Sequence, residues 1–318
     1  MGRRLKAHRS PSDRAGMAHP IAVAFIHGIG RTEPGYSEAM QRAIQRAFEQ
    51  HTPDALPAAT SALVFEEINW SAALQNREDL LYERLDEAGS LGWGKLRQFM
   101  VDFAADAIAY QPAPSDRSAY DAVHLEIAGG LKRLAERAGP RAPLCIIAHS
   151  LGTVIASNYV YDLAKKRKSF ASSEVRSAVG RAPIERGETL ALLYTLGSPI
   201  ALWSLRYPKF GQPITFPPKG LVRHHPDVAA RWVNVYDPDD VIGYPLKELN
   251  AAYRRTVTED RPVNAGSLWT GWTPLSHTGY WSNDRLATSI ATDLAAVHQD
   301  ASTDAPPKER PAALLRQA

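Results

Sequence analysis

Short apolar runs alternate along this chain with longer stretches in which apolar residues recur at helical spacing. The short runs predict buried strands, and they begin at Ile21, Leu63, Pro143, Leu190 and Trp232. The longer stretches predict helices over residues 37–50, 72–87, 91–110 and 117–137. Strands that alternate with helices predict an α/β fold, with a mostly parallel central sheet and helices on both faces. In such sheets ligands bind at the carboxyl ends of the strands.

A serine stands where the third apolar run meets a helical pattern. Residues 148–152 are Ala-His-Ser-Leu-Gly, and small residues at both ends of this turn let strand and helix approach closely. The bend lifts the serine hydroxyl off the sheet. Ser150 is therefore the predicted nucleophile, with Gly152 allowing the close approach and His149 packing the turn.

The first apolar run ends in a glycine-bearing turn, His27-Gly28-Ile29-Gly30. Glycines after a buried strand let the backbone direct an N–H toward a neighbouring pocket, where it can stabilise an oxyanion. We expect the amides of Ile29 and Leu151 to form this oxyanion hole, with Gly28 and Gly30 shaping the turn and His27 packing it. The alternative is a tight turn that only closes a strand.

An acidic loop, residues 237–240, follows the fifth run, where a carboxylate that orients a histidine is expected. Asp240 precedes the apolar pair Val241-Ile242 and is expected to be partly buried. Asp237 precedes a proline and is typical of a turn residue. Asp240 is therefore the predicted acid, and Asp239 is its rival.

His277 lies near the end of the chain in a segment rich in turn-forming residues. The histidines outside the two turns described above are expected to be structural, and they include His124, His224, His225 and His298. A serine hydroxyl needs a base to take its proton, and that base needs a third group to fix its tautomer. Ser150, Asp240 and His277 supply these roles in the chain order of α/β-hydrolases.

Four segments resemble bacterial serine lipases and esterases of the α/β-hydrolase superfamily. Residues 27–30 are similar to their oxyanion-loop motif, and residues 148–152 to the alanine variant of their Gly-x-Ser-x-Gly elbow. Residues 195–199, Thr-Leu-Gly-Ser-Pro, are similar to a turn of lipases and related deacylases, and residues 240–242 to the segment that carries the lipase acid. The resemblance covers residues 20–298 as islands. It implies an α/β-hydrolase fold, whereas the segments between the islands match no lipase, so no substrate carries over.

These residues predict a serine hydrolase that cleaves carboxylic esters through an acyl-enzyme. The expected substrate is a small-molecule or lipid ester, and the chemistry requires neither a metal nor a cofactor. A thioesterase, an amidase or a deacylase of a lipid-linked glycan would use the same machinery. Outside enzymes, the alternative is a hydrolase fold retained as a non-catalytic binding protein.

Composition indicates one large globular domain. The chain has 318 residues, 44% hydrophobic and 22% charged, and the domain is expected over residues 19–298. Residues 1–18 are predicted to be a disordered basic leader and residues 299–318 a disordered tail, with Met17 a candidate natural start. The single cysteine, Cys145, is expected to be a buried packing residue and favours a reducing, cytoplasmic location.

The net charge of +3 is unevenly distributed. Residues 1–18 carry five basic and one acidic side chains, which leaves −1 on the rest of the chain. Nucleic-acid binding is therefore not expected, and no apolar run reaches the roughly 20 residues of a membrane span. Residues 165–187 carry seven basic and two acidic residues. They are expected to be solvated, and the alternative is peripheral contact with anionic lipid. The sequence does not predict an oligomeric state.

Two stretches are longer than a crossover between strands requires. Residues 89–116 and 200–230 are candidate cap elements over the site, and the alternative is that both are peripheral packing. The aromatic residues around His277 are predicted to be packing residues, and they are Trp269, Trp272, Tyr280 and Trp281.

Overall fold

A computed structural model describes eight stretches of the chain, and all structural statements refer to them. They are residues 20–30, 32–52, 62–73, 106–112, 116–165, 171–206, 211–266 and 274–302. The predicted leader lies outside the described residues, as do most of the predicted tail, Trp269, Trp272 and most of the helices predicted over 72–87 and 91–110.

Six parallel strands form one sheet in the described part of the chain. They are β1 Ile21–Ile26, β2 Leu63–Ile68, β3 Leu144–His149, β4 Leu190–Leu196, β5 Arg231–Tyr236 and β6 Glu259–Pro262. Their order is β2-β1-β3-β4-β5-β6, and every neighbouring pair is parallel. The central strands β1, β3 and β4 are buried at every position, which explains why nearly all of their residues are apolar. The sequence did not predict β6, because this short edge strand consists of polar residues and proline.

Helices connect these strands. They are α1 Glu38–His51, α2 Ser118–Ala138, α3 Leu151–Ala164, α4 Ser173–Ala178, α5 Ile200–Trp203, α6 Leu221–His224, α7 Ala251–Thr256 and α8 Asp284–Ser302. Helices α1 and α2 match the predicted ranges to within one residue at each end. His224 ends α6, and His277 lies in a 3₁₀ helix over Pro274–Ser282, a segment that the sequence showed only as rich in turn-forming residues. Such short turns carry too few residues for a readable periodicity.

Helix α8 extends to Ser302, so the first four residues assigned to the tail are helical. In the described ranges, no helix combines the length and the apolar character needed to cross a bilayer.

Two hydrophobic layers cover the two faces of the sheet. Alternate residues of β1 and β3 face opposite sides. Ala24 and Ile146 belong to the cluster that contains the apolar residues of α2 and α3, whereas Phe25 and Cys145 belong to the cluster with α1 and α8. The predicted fold class, an α/β-hydrolase-like parallel sheet with helices on both faces, is confirmed. All four motifs lie at the carboxyl ends of strands or in the turns packed beside them.

Candidate active site

Ser150 occupies the bend between β3 and α3. Its backbone has φ 52° and ψ −129°, and within the described ranges it is the one non-glycine residue with a positive φ. Such a conformation costs about 1–3 kcal/mol and persists only where the surrounding structure enforces it. The Ser150 N–H donates to the Leu196 carbonyl on β4 over 2.9 Å. Its hydroxyl is buried and makes no hydrogen bond to any described residue.

The turn after β1 lies directly over this bend. A methyl group added at Gly152 would sit 2.3 Å from the His27 carbonyl oxygen. One added at Gly28 would sit 2.7 Å from Ser150 Cβ and 3.3 Å from Ser150 Oγ. Because no side chain fits at either distance, glycine at these two positions is what allows β1, the bend and α3 to meet.

Two backbone amides beside Ser150 have no acceptor among the described residues, and they belong to Ile29 and Leu151. Leu151 is the first residue of α3, where an N–H group lacks an intrahelical acceptor. Ile29 follows the glycine that contacts the serine. The Leu151 amide, at the positive end of α3, favours negative charge.

Contacts on both sides fix the turn after β1. The Gly30 N–H donates to Asp106 Oδ2 over 2.8 Å, and Asp106 is buried. On the other side, the rings of His27 and Trp70 stack with centroids 4.8 Å apart, and Trp70 Nε1 donates to the His27 carbonyl over 2.9 Å. Burial lowers the pKa of His27 to about 4, so its ring packs in the neutral form.

A histidine and an aspartate are paired in the interior at the same end of the sheet. His277 Nδ1 lies 2.8 Å from Asp240 Oδ2, and the two residues are 1% and 4% exposed. Asp240 also accepts hydrogen bonds from the Tyr280 hydroxyl over 2.8 Å and from the Ile242 N–H over 2.9 Å. An ionised carboxylate can only accept, so Nδ1 of His277 carries the proton and Nε2 is the basic nitrogen.

Opposing effects set the pKa of Asp240. Burial raises the pKa, because a buried carboxylate loses its hydration. Hydrogen bonds from His277, Ile242 and Tyr280, together with the charge of His277, outweigh burial and leave the pKa below its usual value. Asp240 is therefore ionised at neutral pH and can stabilise a positive charge on His277.

Two neighbours connect this pair to the bend at Ser150. His149 Nε2 donates to the His277 carbonyl over 2.6 Å, and the two rings lie 4.8 Å apart. Burial lowers the pKa of His149 to about 3, so its ring is neutral. From the turn after β4, a methyl group at Gly197 would lie 3.0 Å from Asp240 Oδ2 and 3.1 Å from His277 Cε1. The residue before Ser150 is thus bonded directly to the backbone of His277.

The other acids of the same loop have different surroundings. Asp239 is exposed. Asp237 accepts the Asp239 N–H over 2.9 Å, as a turn residue does, and also the Ala265 N–H over 2.7 Å. In the described structure Asp240 is the one bonded to His277, and its role as the catalytic acid stays a prediction that kinetics must test.

Two residues of this site were not predicted from the sequence. Tyr280 was predicted to be a packing residue, yet its hydroxyl donates to Asp240. A signal existed, because residues three apart share a face of a 3₁₀ helix and Tyr280 follows His277 by three. Asp106 gave no signal, since nothing in its local sequence links it to a turn 76 positions earlier.

The candidate cap segments are described only in part. Within the first, Asp106 contacts the turn after β1. Within the second, Trp203 and Phe216 pack against the core, and residues 207–210 lie outside the described residues. The role of either segment as a cap stays a prediction. Among the described residues, no group of three or more His, Cys, Asp or Glu is arranged to hold a metal ion.

Comparison with known proteins gives weak likenesses. No protein-family model and no curated protein sequence matches the chain. A structure from the work on LipS and LipT, two metagenome-derived lipolytic enzymes, is 11% identical, with a TM-score of 0.31 over 77% of this chain and 82% of that one. The esterase domain of a Rhodothermus marinus protein is 11% identical, with a TM-score of 0.34 over 89% and 90%. Similarity this low carries no argument about function, which has to come from the site.

Proposed function

We propose that this chain is a serine hydrolase that cleaves carboxylic esters through an acyl-enzyme. Ser150 is the nucleophile, His277 the general base and Asp240 the orienting acid, while the Ile29 and Leu151 amides stabilise the oxyanion. The observation that carries the proposal is the buried His277–Asp240 hydrogen bond of 2.8 Å, at the sheet end where Ser150 has a strained, positive φ.

In the first half-reaction, Ser150 Oγ attacks the ester carbonyl carbon while its proton passes to His277 Nε2. The carbonyl oxygen becomes an oxyanion, which the amides of Ile29 and Leu151 stabilise. Asp240, ionised because its pKa is low, stabilises the imidazolium. When the tetrahedral intermediate breaks down, His277 returns the proton to the departing alkoxide and the acyl group stays on Ser150.

In the second half-reaction, water replaces the alcohol. His277 Nε2 takes a proton from the water, whose oxygen attacks the acyl carbon and forms a second oxyanion at the same amides. The Ser150 Oγ–acyl bond then breaks, His277 returns the proton to Oγ, and the carboxylic acid leaves. The enzyme is regenerated without any other reactant.

A fluorophosphonate probe tests the nucleophile, together with p-nitrophenyl esters from acetyl to palmitoyl. We expect the wild-type chain to be labelled and to hydrolyse part of the ester series, and Ser150→Ala to do neither. Ser198→Ala is the matched control, because Ser198 is also a buried serine at this end of the sheet but its hydroxyl bonds Thr153 Oγ1 over 2.8 Å. This variant should still be labelled, whereas labelling that survives in Ser150→Ala would refute the assignment.

The same machinery serves a thioesterase, an amidase or a deacylase of a lipid-linked glycan. Thioester and anilide analogues of the best p-nitrophenyl ester separate the first two from an esterase by kcat/KM. A non-catalytic binding protein would show neither labelling nor turnover in any series. The N–H groups of Ile29 and Leu151 have no hydrogen-bond acceptor among the described residues. This favours catalysis over binding alone, because a binding protein does not need an oxyanion hole beside a buried serine.

A further inference from the structure

A cavity of about 900 Å³ lies away from the candidate active site. It opens at the far end of α3, where Tyr159 and Asp162 form part of its wall, and next to the start of β4, where Glu188 does. Asp162 follows Ser150 by twelve residues, which places it roughly 18 Å along the helix at 1.5 Å per residue. None of the residues assigned to the proposed triad or oxyanion hole lines this cavity.

Basic side chains dominate its rim. The cationic lining residues are Lys165, Arg176, Arg181, Arg186, Lys219 and Arg223. The acidic lining residues are Asp162 and Glu188, and Glu188 is paired with Arg186 over 2.9 Å. Arg181 and Arg223 have no ion pair with any described residue, and both are exposed. The rim therefore offers uncompensated positive charge to an incoming anion.

Two buried polar atoms in the cavity wall have no hydrogen-bond partner among the described residues, namely His124 Nδ1 and the Tyr159 hydroxyl. Their residues are 0% and 2% exposed. His124 Nε2 is hydrogen-bonded to the Tyr110 hydroxyl over 3.0 Å, and Asn158 Nδ2 donates to the same hydroxyl over 3.2 Å. Nδ1 lies 3.9 Å from Asp162 Oδ2, and the negative charge of that carboxylate favours the tautomer with the proton on Nδ1. An unsatisfied buried donor destabilises the folded chain, and a hydrogen bond to a ligand oxygen would remove that cost.

We propose that this cavity binds a phosphate-bearing ligand, either a free small molecule or a lipid headgroup. The rim arginines supply the fork of donors that suits phosphate oxygens. His124 Nδ1–H and the Tyr159 hydroxyl supply donors at the wall. Asp162 carries negative charge at the wall, so one phosphate oxygen reaches these donors while the remaining charge of the phosphate group stays beside the rim arginines. The proposal is independent of the esterase function, because it uses none of the residues of that site.

Titration calorimetry with inorganic pyrophosphate, and co-sedimentation with phosphatidic acid vesicles against phosphatidylcholine vesicles, test it on the full chain. We expect saturable binding in at least one arm, and the arm that responds identifies the source of the phosphate. Arg181→Gln/Arg223→Gln should weaken that binding by about tenfold or more, because charge-assisted hydrogen bonds are lost. Both side chains are exposed, so folding is preserved.

Arg46→Gln/Arg285→Gln is the matched control, because it removes the same charge from exposed positions on α1 and α8. It should leave affinity within about twofold, since distant exposed charges are screened. Tyr159→Phe should weaken binding without lowering the unfolding temperature, because it deletes an unpartnered hydroxyl. Absence of binding in both arms, equal losses in the two double variants, or full affinity in Tyr159→Phe would overturn the proposal.

Discussion

Two buried sets of one histidine, one aspartate and one tyrosine lie in this molecule, and their geometry differs. In the first, at the carboxyl end of the sheet, His277 Nδ1 lies 2.8 Å from Asp240 Oδ2. The hydroxyl of Tyr280 donates to the same oxygen over 2.8 Å. His277 thus donates its Nδ1 proton to the carboxylate, which leaves Nε2 as the basic nitrogen.

In the second set, between α2 and α3, the Tyr120 hydroxyl also donates to an aspartate, Asp162, over 2.9 Å. His124 Nδ1, however, is 3.9 Å from Asp162 Oδ2, too far for a hydrogen bond. Its Nε2 is occupied by Tyr110, 3.0 Å away. His124 therefore has no basic nitrogen directed at a nucleophile.

Residue types alone therefore do not identify a candidate active site. The same residue types are buried twice, and only the first set lies at the sheet end that also carries the strained Ser150. A 1.1 Å difference in one nitrogen–oxygen distance separates a histidine hydrogen-bonded to its aspartate from one that packs beside an aspartate.

Replacing the aspartate of each set gives the largest expected contrast. In Asp240→Asn the amide can donate to Nδ1 and favour the wrong tautomer of His277. The kcat for the best p-nitrophenyl ester should then fall on the order of 10⁴-fold, by analogy with the protease triad. Asp162→Asn should change kcat by less than about threefold, since this residue touches no reacting atom. Equal losses in the two variants, with both folded by circular dichroism, would erase the distinction.

Asp239→Asn separates the acid from its rival in the same assay. Asp239 is exposed, and no hydrogen bond joins it to His277 in the described structure. We expect wild-type kcat within about twofold, as is usual for a surface substitution away from the chemistry. A loss as large as that in Asp240→Asn would transfer the role of acid to Asp239.

A methyl group added at the bend should cause the next largest effect. In Gly152→Ala the new Cβ would meet the carbonyl oxygens of His27 and Ile26 at 2.3 and 2.7 Å. Because backbone cannot yield as a flexible side chain can, we expect a loss of about 3 kcal/mol in the free energy of unfolding. Urea titration measures it, with Gly211→Ala as control, where an added Cβ meets nothing within 4 Å. A near-zero change at both positions would contradict the tight contact between β1 and α3.

The local pattern of apolar and polar residues predicted most strands and helices, and also the order of the candidate site residues along the chain. It did not predict which side chains contact one another. Five strands were predicted because each contains a run of apolar residues, whereas β6 is polar and was not predicted. Asp240 and Asp239 are adjacent, and what distinguishes them is burial under Tyr280, forty positions away. The second set was invisible for the same reason, since nothing near His124 in sequence indicates that Asp162 packs beside it. Such long-range packing has no local signature.

Acid should destabilise both regions through their buried neutral histidines. Burial lowers the pKa of His124 and of His149 to about 3 each, whereas an unfolded histidine titrates near 6.5. Below pH 6.5 the unfolded chain gains a proton that the folded chain excludes, so stability falls as pH falls toward 3. At pH 5 each buried histidine should cost about 2 kcal/mol relative to pH 7.5.

His124→Phe tests this prediction in the second set. The variant should lose about 2 kcal/mol less than the wild-type chain between pH 7.5 and 5.0, measured by urea unfolding at each pH. Val123→Ala, at a buried neighbour on the same helix, should lower stability by the same amount at both values. If His124→Phe keeps the wild-type pH dependence, burial does not lower the pKa of His124 in the folded chain, and the predicted contribution of this residue to acid destabilisation is wrong.

The smallest expected effect is a gain, and it lies on α2, the helix that carries His124. At Gly129 an added Cβ would meet only the end of the flexible Arg133 side chain, at 3.4 Å. Gly129→Ala should therefore stabilise the chain by about 1 kcal/mol, since alanine is the better helix former. At the next position, Gly130, the Cβ would lie 2.5 Å from Ile68 Cγ1, so Gly130→Ala should destabilise. Thermal unfolding of the two variants should shift in opposite directions, and a shared direction would mean that α2 does not pack on β2 as closely as described. All three glycines lie in helices, so alanine has the same propensity advantage at each of them. Gly152 and Gly130 nevertheless differ from Gly129, because at these two positions an added methyl group would meet another atom at 2.3 and 2.5 Å. We therefore expect alanine to destabilise the chain at Gly152 and Gly130 and to stabilise it at Gly129.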